Sequence, residues 1–496
     1  MGAVDKPLRA FATHRPCHKA HPTRKTQGVS LPATSSADVL NRAFEQVDAD
    51  FEAHVATIRD FLRLPTVSAD SSDMQAGAEA TAALIEGAGG VAEIVETPGH
   101  PCVLGRIDAP GPRLLRYGMY DVQPADEDGW SSAPFGAELV DVQGVGECIV
   151  ARGAANSKAC LAAFLLALTS AFKVGDLTTG VTLLVDGEEE LGSPHLPSIV
   201  TKRKSELQAD AAFDMDLTAD RAGAGDVHLG CKGIVSFRLT CSGGPWGGPV
   251  GTALHSSGGA VVASPAWALV RALSALADSE EPALDEGLEA AVIPREDRAL
   301  IDALIPHFDI EDYLAEAGAL AYKVPRDAKS ILTALMYARV LNLNGIRTGH
   351  AEGKTIVPHE AVAALDLRIP YGADVDSVIA AVKHTVARAA PEVLVEACGV
   401  CPPARTLHSS PVARAMIESQ ADVGPAARVW PSAPWWAPFY LFEQVLEVPF
   451  VHGGAGHSCG AHAAIEYASL EGLRLHMRHS LTFLHRFAQE SSGERG

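Results

Sequence analysis

The chain predicts an α/β fold in which a covered sheet is interrupted by a smaller α+β domain. Three observations carry that expectation. Residues 38–228 alternate helical stretches with short apolar runs, the pattern of a sheet with helices over both faces. From 229 to 406 the texture becomes strand-rich, with fewer helices. From about 407 the first texture returns and closes in a long helix, so the middle reads as an insertion. A length of 496 residues also exceeds what one core usually serves, which favours two domains.

Each element has its own signal. Phe44 to Leu64 repeats apolar residues at helical period and leads into Pro65-Thr66-Val67-Ser68. Ala76 to Ala88 repeats that pattern, and Val91 to Glu96 reads as a strand. Leu114-Leu115-Arg116-Tyr117 reads as a buried strand ending at Gly118. Cys160 to Phe172 forms an alanine- and leucine-rich helix, and Val181 to Asp186 an unbroken apolar strand of the doubly buried kind. In the middle segment Ile234 to Thr240 alternates as a strand, and Pro265 to Ala277 is a helix. A polar insertion from Asp278 to about Ser330 follows. Val340 to Ile346, Thr355 to Pro358, Ala361 to Ile369 and Val393 to Ala397 read as strands, with a helix from Val375 to Ala389. That order suggests a small antiparallel sheet with helices on one face. The last helix runs from Leu470 to Gln489.

Composition narrows the function. A net charge of -21 argues against nucleic acid and anionic membranes as partners. No apolar run is long enough for a transmembrane helix. Residues 1–37 carry Lys6, Arg9, Arg15, Lys19, Arg24 and Lys25 against Asp5 alone, and read as a disordered basic tail, with a cleaved targeting peptide as the alternative. Nine cysteines over this length suit a reducing, cytoplasmic location. Cys398 and Cys401 have redox or zinc spacing, but two prolines follow and no second pair accompanies them.

Four groups could carry chemistry. Asp121 follows a buried strand, where a cleft opens at the carboxyl edge of a sheet. Arg152-Gly-Ala-Ala-Asn156-Ser-Lys158 forms a turn opening a helix. Asp186-Gly-Glu-Glu189-Glu190-Leu-Gly-Ser193 sets carboxylates at a strand end, where mutual repulsion raises their pKa unless a cation is near. The last group is the stretch from Gly454 through His457, Cys459 and His462 to Glu466.

These motifs resemble the di-zinc peptidases and amidohydrolases that include carnosinase, bacterial dipeptidases, aminoacylase and succinyl-diaminopimelate desuccinylase. The resemblance spans about 45 to 488. It rests on Tyr117-Gly-Met-Tyr-Asp121-Val-Gln-Pro124 with Trp130, Arg152-Gly153 with Lys158, and Glu189-Glu190-Leu-Gly-Ser193. Ala253-Leu-His255-Ser256, Lys354-Thr355-Ile-Val-Pro358 and Asp366-Leu-Arg368-Ile-Pro370 match its lid motifs. The resemblance implies a zinc-peptidase-like α/β catalytic domain over 38–228 and 407–496. It also implies an inserted ferredoxin-like α+β lid and dimerisation domain over 229–406. It implies Glu189 as general base, and Glu190 and His462 as ligands of one metal. Asp216 would bind the other metal, with Asp121 as a supporting carboxylate. His255 would reach across a homodimer interface to polarise the scissile carbonyl, and Thr355 and Arg368 would hold the substrate carboxylate.

The departures are as specific. Met119 stands where the family has a histidine ligand, and Asn156 where it has a bridging aspartate. A thioether is a poor substitute for imidazole on zinc. Two divalent ions about 4 Å apart need an anion between them. Trp435 and Trp436 replace a glycine-serine loop that contacts substrate, and Ala253 an aspartate beside the lid histidine. The expected cofactor is therefore one zinc or other divalent ion, held by Glu190, His462 and weakly by Asn156, or none. Three readings stand. One is hydrolysis of an amide with a degraded metal site. Another is metal-independent acyl transfer or amide condensation with Glu189 as base, its acyl group received by the tryptophan pair. The last is a catalytically dead binding scaffold. Both catalytic readings take a small acyl or amide substrate.

Overall fold

The computed structural model describes residues 36–278, 281–282, 292–349 and 353–493. The basic N-terminal segment lies almost wholly outside them, as does part of the polar stretch after Asp278.

An eight-stranded sheet forms the body. Its spatial order is Val91–Val95, Cys102–Ile107, Gly180–Asp186, Arg113–Met119, Ala211–Met215, Phe450–Gly453, Asp226–His228 and Arg428–Trp430. Its centre is parallel: Arg113–Met119 runs alongside both Gly180–Asp186 and Ala211–Met215, and Phe450–Gly453 continues the run. Toward one edge Cys102–Ile107 is antiparallel to both of its neighbours, so the sheet is mixed.

Alternation along Arg113–Met119 divides the core. Leu114 faces a large cluster with Val47, Leu161, Phe164, Phe213, Leu473 and Phe483. Helices Ser36–Leu62, Met74–Gly87, Lys158–Val174, Pro411–Val423 and Leu470–Gly493 contribute to it. Leu115 and Tyr117 face the other side, with Leu184, Phe439, Phe442 and Phe450. Sheet and helices thus make the covered layers the alternation predicts. A second sheet of Ser458–Cys459, Tyr467–Ser469, Gly146–Val150 and Glu138–Val142 lies apart from the first.

The middle segment forms a separate antiparallel sheet. Its strands are Val340–Thr348, Glu360–Ile369, Gly233–Ser242 and Leu394–Cys401, in that spatial order. Helices Pro265–Leu276 and Val375–Ala389 pack on one face through Leu269, Ala272, Val378 and Val382. The chain order βαββαβ is the ferredoxin-like arrangement. The expected strand Thr355 to Pro358 is outside this sheet. Its Ile356–Val357 pairs only with Leu254–His255. The polar insertion carries helices Arg295–Leu304, Ile310–Glu316 and Ala328–Tyr337. Gly230–Cys231 pairs antiparallel with Ala404–Arg405 beside the sequence-derived limits of the insertion. Among the described residues no helix is long and apolar enough to cross a membrane.

Candidate active site

The carboxyl ends of the central strands gather the carboxylates. Asp121, just past Arg113–Met119, is fully buried. Its two oxygens accept the backbone N–H groups of Glu189, at 3.2 Å, and Glu190, at 3.0 Å. Asp121 therefore fixes the turn that carries both glutamates. Met119 is buried at the strand end, opposite Asp186 in register.

Glu190 meets three side chains. Gln123 Nε2 donates to its Oε2 at 2.8 Å, and Asn156 Nδ2 to its Oε1 at 3.0 Å. His462 Nε2 lies 3.1 Å from the same Oε1 and 2.8 Å from Asn156 Nδ2. Glu190, Asn156 and His462 are thus brought together. Glu466 sets the turn that presents Asn156. Its Oε1 accepts N–H groups from Gly153, Ala155 and Asn156 at 2.9–3.0 Å, and its Oε2 accepts from Arg152 Nη1 at 2.7 Å.

Asp216 belongs to a different group. Its Oδ2 lies 3.3 Å from His452 Nε2. Asp214, Asp216 and His452 offer ligand atoms within 4.8 Å of one another, so this trio could hold a metal. Arg116, fully buried, pairs with Asp214 and donates through Nη2 to the Met215 carbonyl at 2.8 Å. Close approach here requires Gly454, where a Cβ would come within 1.8 Å of the Asp216 carbonyl.

Charge follows from this crowding. Burial raises the Glu189 carboxyl well above its ordinary value, and Glu190, Asp121 and Asp186 add to the rise. Burial and Asp186 raise Asp121 in the same direction. Burial also raises Asp216, but the hydrogen bond and charge of His452 and the charge of Arg116 outweigh it, leaving this carboxyl below its usual range. The Glu190 contact raises His462 despite partial burial.

The residues expected to face substrate divide. Arg368, on Glu360–Ile369, lines a cavity of about 1230 Å³ with Lys232, Lys323, Lys329, Arg339 and Trp435, and no lining residue is acidic. Its Nη1 is buried with no hydrogen-bond partner among the described residues, and its Nε lies 3.4 Å from Asp366. Burial, then Arg368 and Lys323, lowers the Lys232 ammonium to about 8. Trp435 is only partly available for stacking. Its ring meets His452 at 4.9 Å, His228 at 5.3 Å and Phe439 at 6.1 Å. Trp436 lies beside Gly192, in contact range of a Cβ built there. His255 and Thr355 are exposed at the small ribbon, outside the sheet that carries Arg368, and Ser256 N donates to the Thr355 carbonyl at 3.0 Å. The His255 ring bonds Ser257 at 2.9 Å. Among the described residues no hydrogen bond or ion pair joins His255 to the glutamates.

A model of peptidase family M20/M25/M40 matches residues 116–486, which holds all of these groups. The chain belongs to that family. The solved M20 metallo-carboxypeptidase of Sulfolobus solfataricus superposes with a TM-score of 0.80 at 30% identity, covering 88% of this chain and 99% of that one. A Cys-Gly metallodipeptidase of Candida albicans is 28% identical over 207 residues, 40% of each protein. A succinyl-diaminopimelate desuccinylase of Gluconacetobacter diazotrophicus is 36% identical over 136 residues, 27% of this chain and 34% of that protein. The matched stretches span well under two thirds of both curated relatives.

Within this M20 chain, several site residues went unread in the sequence. Gln123 and Glu466 lay inside the quoted motifs, yet their contacts depend on chain closure. Arg116 carried a signal of its own, since a cation inside an apolar strand demands a buried anion. Asp214 supplies it, two residues before Asp216.

Proposed function

We propose that this protein cleaves an amide bond in a small anionic substrate, with Glu189 as proton acceptor. The observation that carries this reading is the grouping of Glu189, Glu190, Asn156 and His462 at one sheet edge, above a buried Asp121. Glu190, His462 and Asn156 fit one divalent ion, because their polar atoms converge within 3.1 Å. The Asn156 oxygen faces inward once its amide is turned. Bound there, such an ion supplies Lewis acidity and acidifies water. Glu189 takes the proton of the attacking water and passes it to the departing amine. The cations around the cavity, Arg368 foremost, hold the substrate's anionic end.

His255 completes this scheme from a second copy of the chain, donating to the oxyanion. Mixing inactive Glu189→Gln and His255→Ala proteins is then expected to restore about a quarter of wild-type activity, since half of randomly paired dimers hold one intact composite site. No recovery after subunit exchange would rule out a His255 that acts from the second copy of the chain. All eight described cysteines are unpaired, which supports a reducing compartment such as the cytoplasm.

The substrate reading is tested with dipeptides and N-acyl amino acids, each with a free or an amidated terminal carboxylate, in zinc-supplemented buffer. Free carboxylates are expected to be preferred. Arg368→Met is expected to raise KM by about 10- to 100-fold with little change in kcat, from loss of a charge-assisted hydrogen bond. Equal turnover of both forms would sink the anion-binding role. The neutral Met119 and Asn156 favour a second reading, metal-free acyl transfer from a thioester to an amine. Amide formation that persists in chelator would establish that alternative, and binding without turnover would establish a scaffold.

A further inference from the structure

We infer that Arg116 is a built-in cation standing in place of a second metal ion. The two-ion arrangement implied by the family does not fit this chain at the Asp216 position. Where the resemblance implies a histidine ligand Met119 offers a thioether, and where it implies a bridging aspartate Asn156 carries no charge. The donors that do surround Asp216 are Asp214 and His452. Asp214 is already paired with Arg116, whose guanidinium also binds the Met215 carbonyl. A divalent ion on this trio would have to share Asp214 with a guanidinium, at a strong like-charge cost in a buried site.

The placement of Arg116 is specific. It lies on Arg113–Met119, three residues before the missing imidazole, opposite Leu183 and Phe213 in register. Its guanidinium carbon sits 5.6 Å from the centroids of both the Phe164 and Phe213 rings. The ring faces and backbone carbonyls orient the charge toward the carboxylates, and a guanidinium keeps its charge at any working pH. Unlike an ion, it is not lost to chelators.

Metal stoichiometry tests this without reference to turnover. Protein is dialysed to equilibrium against excess zinc, and bound metal is measured by mass spectrometry. Wild type and Arg116→Lys are expected to retain no more than one zinc per chain. Arg116→Met frees Asp214, Asp216 and His452 as a three-donor set, and is expected to take one further zinc. Adding Asp216→Asn to Arg116→Met should abolish that gain. Zinc should raise the melting temperature of Arg116→Met more than that of wild type, as expected for an ion bound only to the folded form. Two zincs on wild type, or no gain in folded Arg116→Met, would overturn the inference. If Arg116→Met fails to fold, Asp216→Asn alone decides. An unchanged zinc count supports Arg116 as the resident cation, and loss of one zinc refutes it.

Discussion

Glu189→Gln is expected to lower kcat by ~10²- to 10⁴-fold, the usual contribution of a positioned acid–base group. KM should change little, because the amide keeps the shape of the side chain and Asp121 bonds the backbone, not the carboxylate. The pH profile gives an independent check. Burial, with Glu190 and Asp121 close by, holds the Glu189 carboxyl protonated above its ordinary value of 4.5. Catalysis needs the ionised form, so kcat/KM in wild type should rise with pH through a limb lying above that value. Glu189→Gln should lack this limb. Stability should move the opposite way. A carboxyl whose pKa is raised on folding binds more protons in the folded state, so its ionisation costs stability as pH increases. In chelator-treated protein, Glu189→Gln should melt higher than wild type at pH 8. The gap should close as pH falls below the ordinary carboxylate range, where Glu189 is protonated both folded and unfolded. A variant that keeps wild-type kcat would remove Glu189 from the chemistry altogether.

Glu466→Ala is expected to cost ~3–5 kcal/mol of unfolding free energy, the range for removing one partner of a buried ion pair. Arg152 and Glu466 are buried together, with side chains 1% and 0% exposed. The substitution leaves the Arg152 charge with Glu127 as its remaining carboxylate. It also strips an acceptor from the N–H groups of Gly153, Ala155 and Asn156. Glu466→Gln should recover part of the loss, because an amide oxygen still accepts those hydrogen bonds without opposing the guanidinium. A urea midpoint shifted by less than ~1 kcal/mol equivalent would show that the turn is held by other contacts. Because the same turn presents Asn156 to Glu190 and His462, Glu466→Ala should also weaken zinc retention in the protein that remains folded.

How much of this was readable in advance depended on how local each signal was. The central parallel strands were legible because Val181 to Asp186 is apolar throughout, which few environments other than a doubly covered sheet accept. The small antiparallel sheet with helices on one face was legible from period-two strands separated by helical patterns, whereas its ferredoxin-like order was implied by the family resemblance. Glu138–Val142 was missed because its residues are mostly exposed and carry no apolar alternation. Cys102–Ile107 was missed because its first four residues, ending in Gly105, are all buried and leave no period to read. In the site, Asp121, Glu189, Glu190, Asn156 and His462 were read from motif as candidates, and the structure places them close together. Asp216 was read as a ligand in isolation, since nothing near it in sequence announces His452, whose approach depends on the strand Phe450–Gly453 closing beside Ala211–Met215. His255 and Thr355 meet at a small ribbon, and among the described residues no hydrogen bond or ion pair joins them to Glu189.

The Glu466 contacts also say when the pocket can exist. They join Gly153, Ala155 and Asn156 to a residue 310 to 313 positions later. During N-to-C synthesis the early strands can collapse long before their distant acceptor leaves the ribosome. A nascent chain therefore carries its glutamates without a finished cleft. The turn that presents Asn156 is complete only once Glu466 has been made, and a chain that stops before it lacks that acceptor.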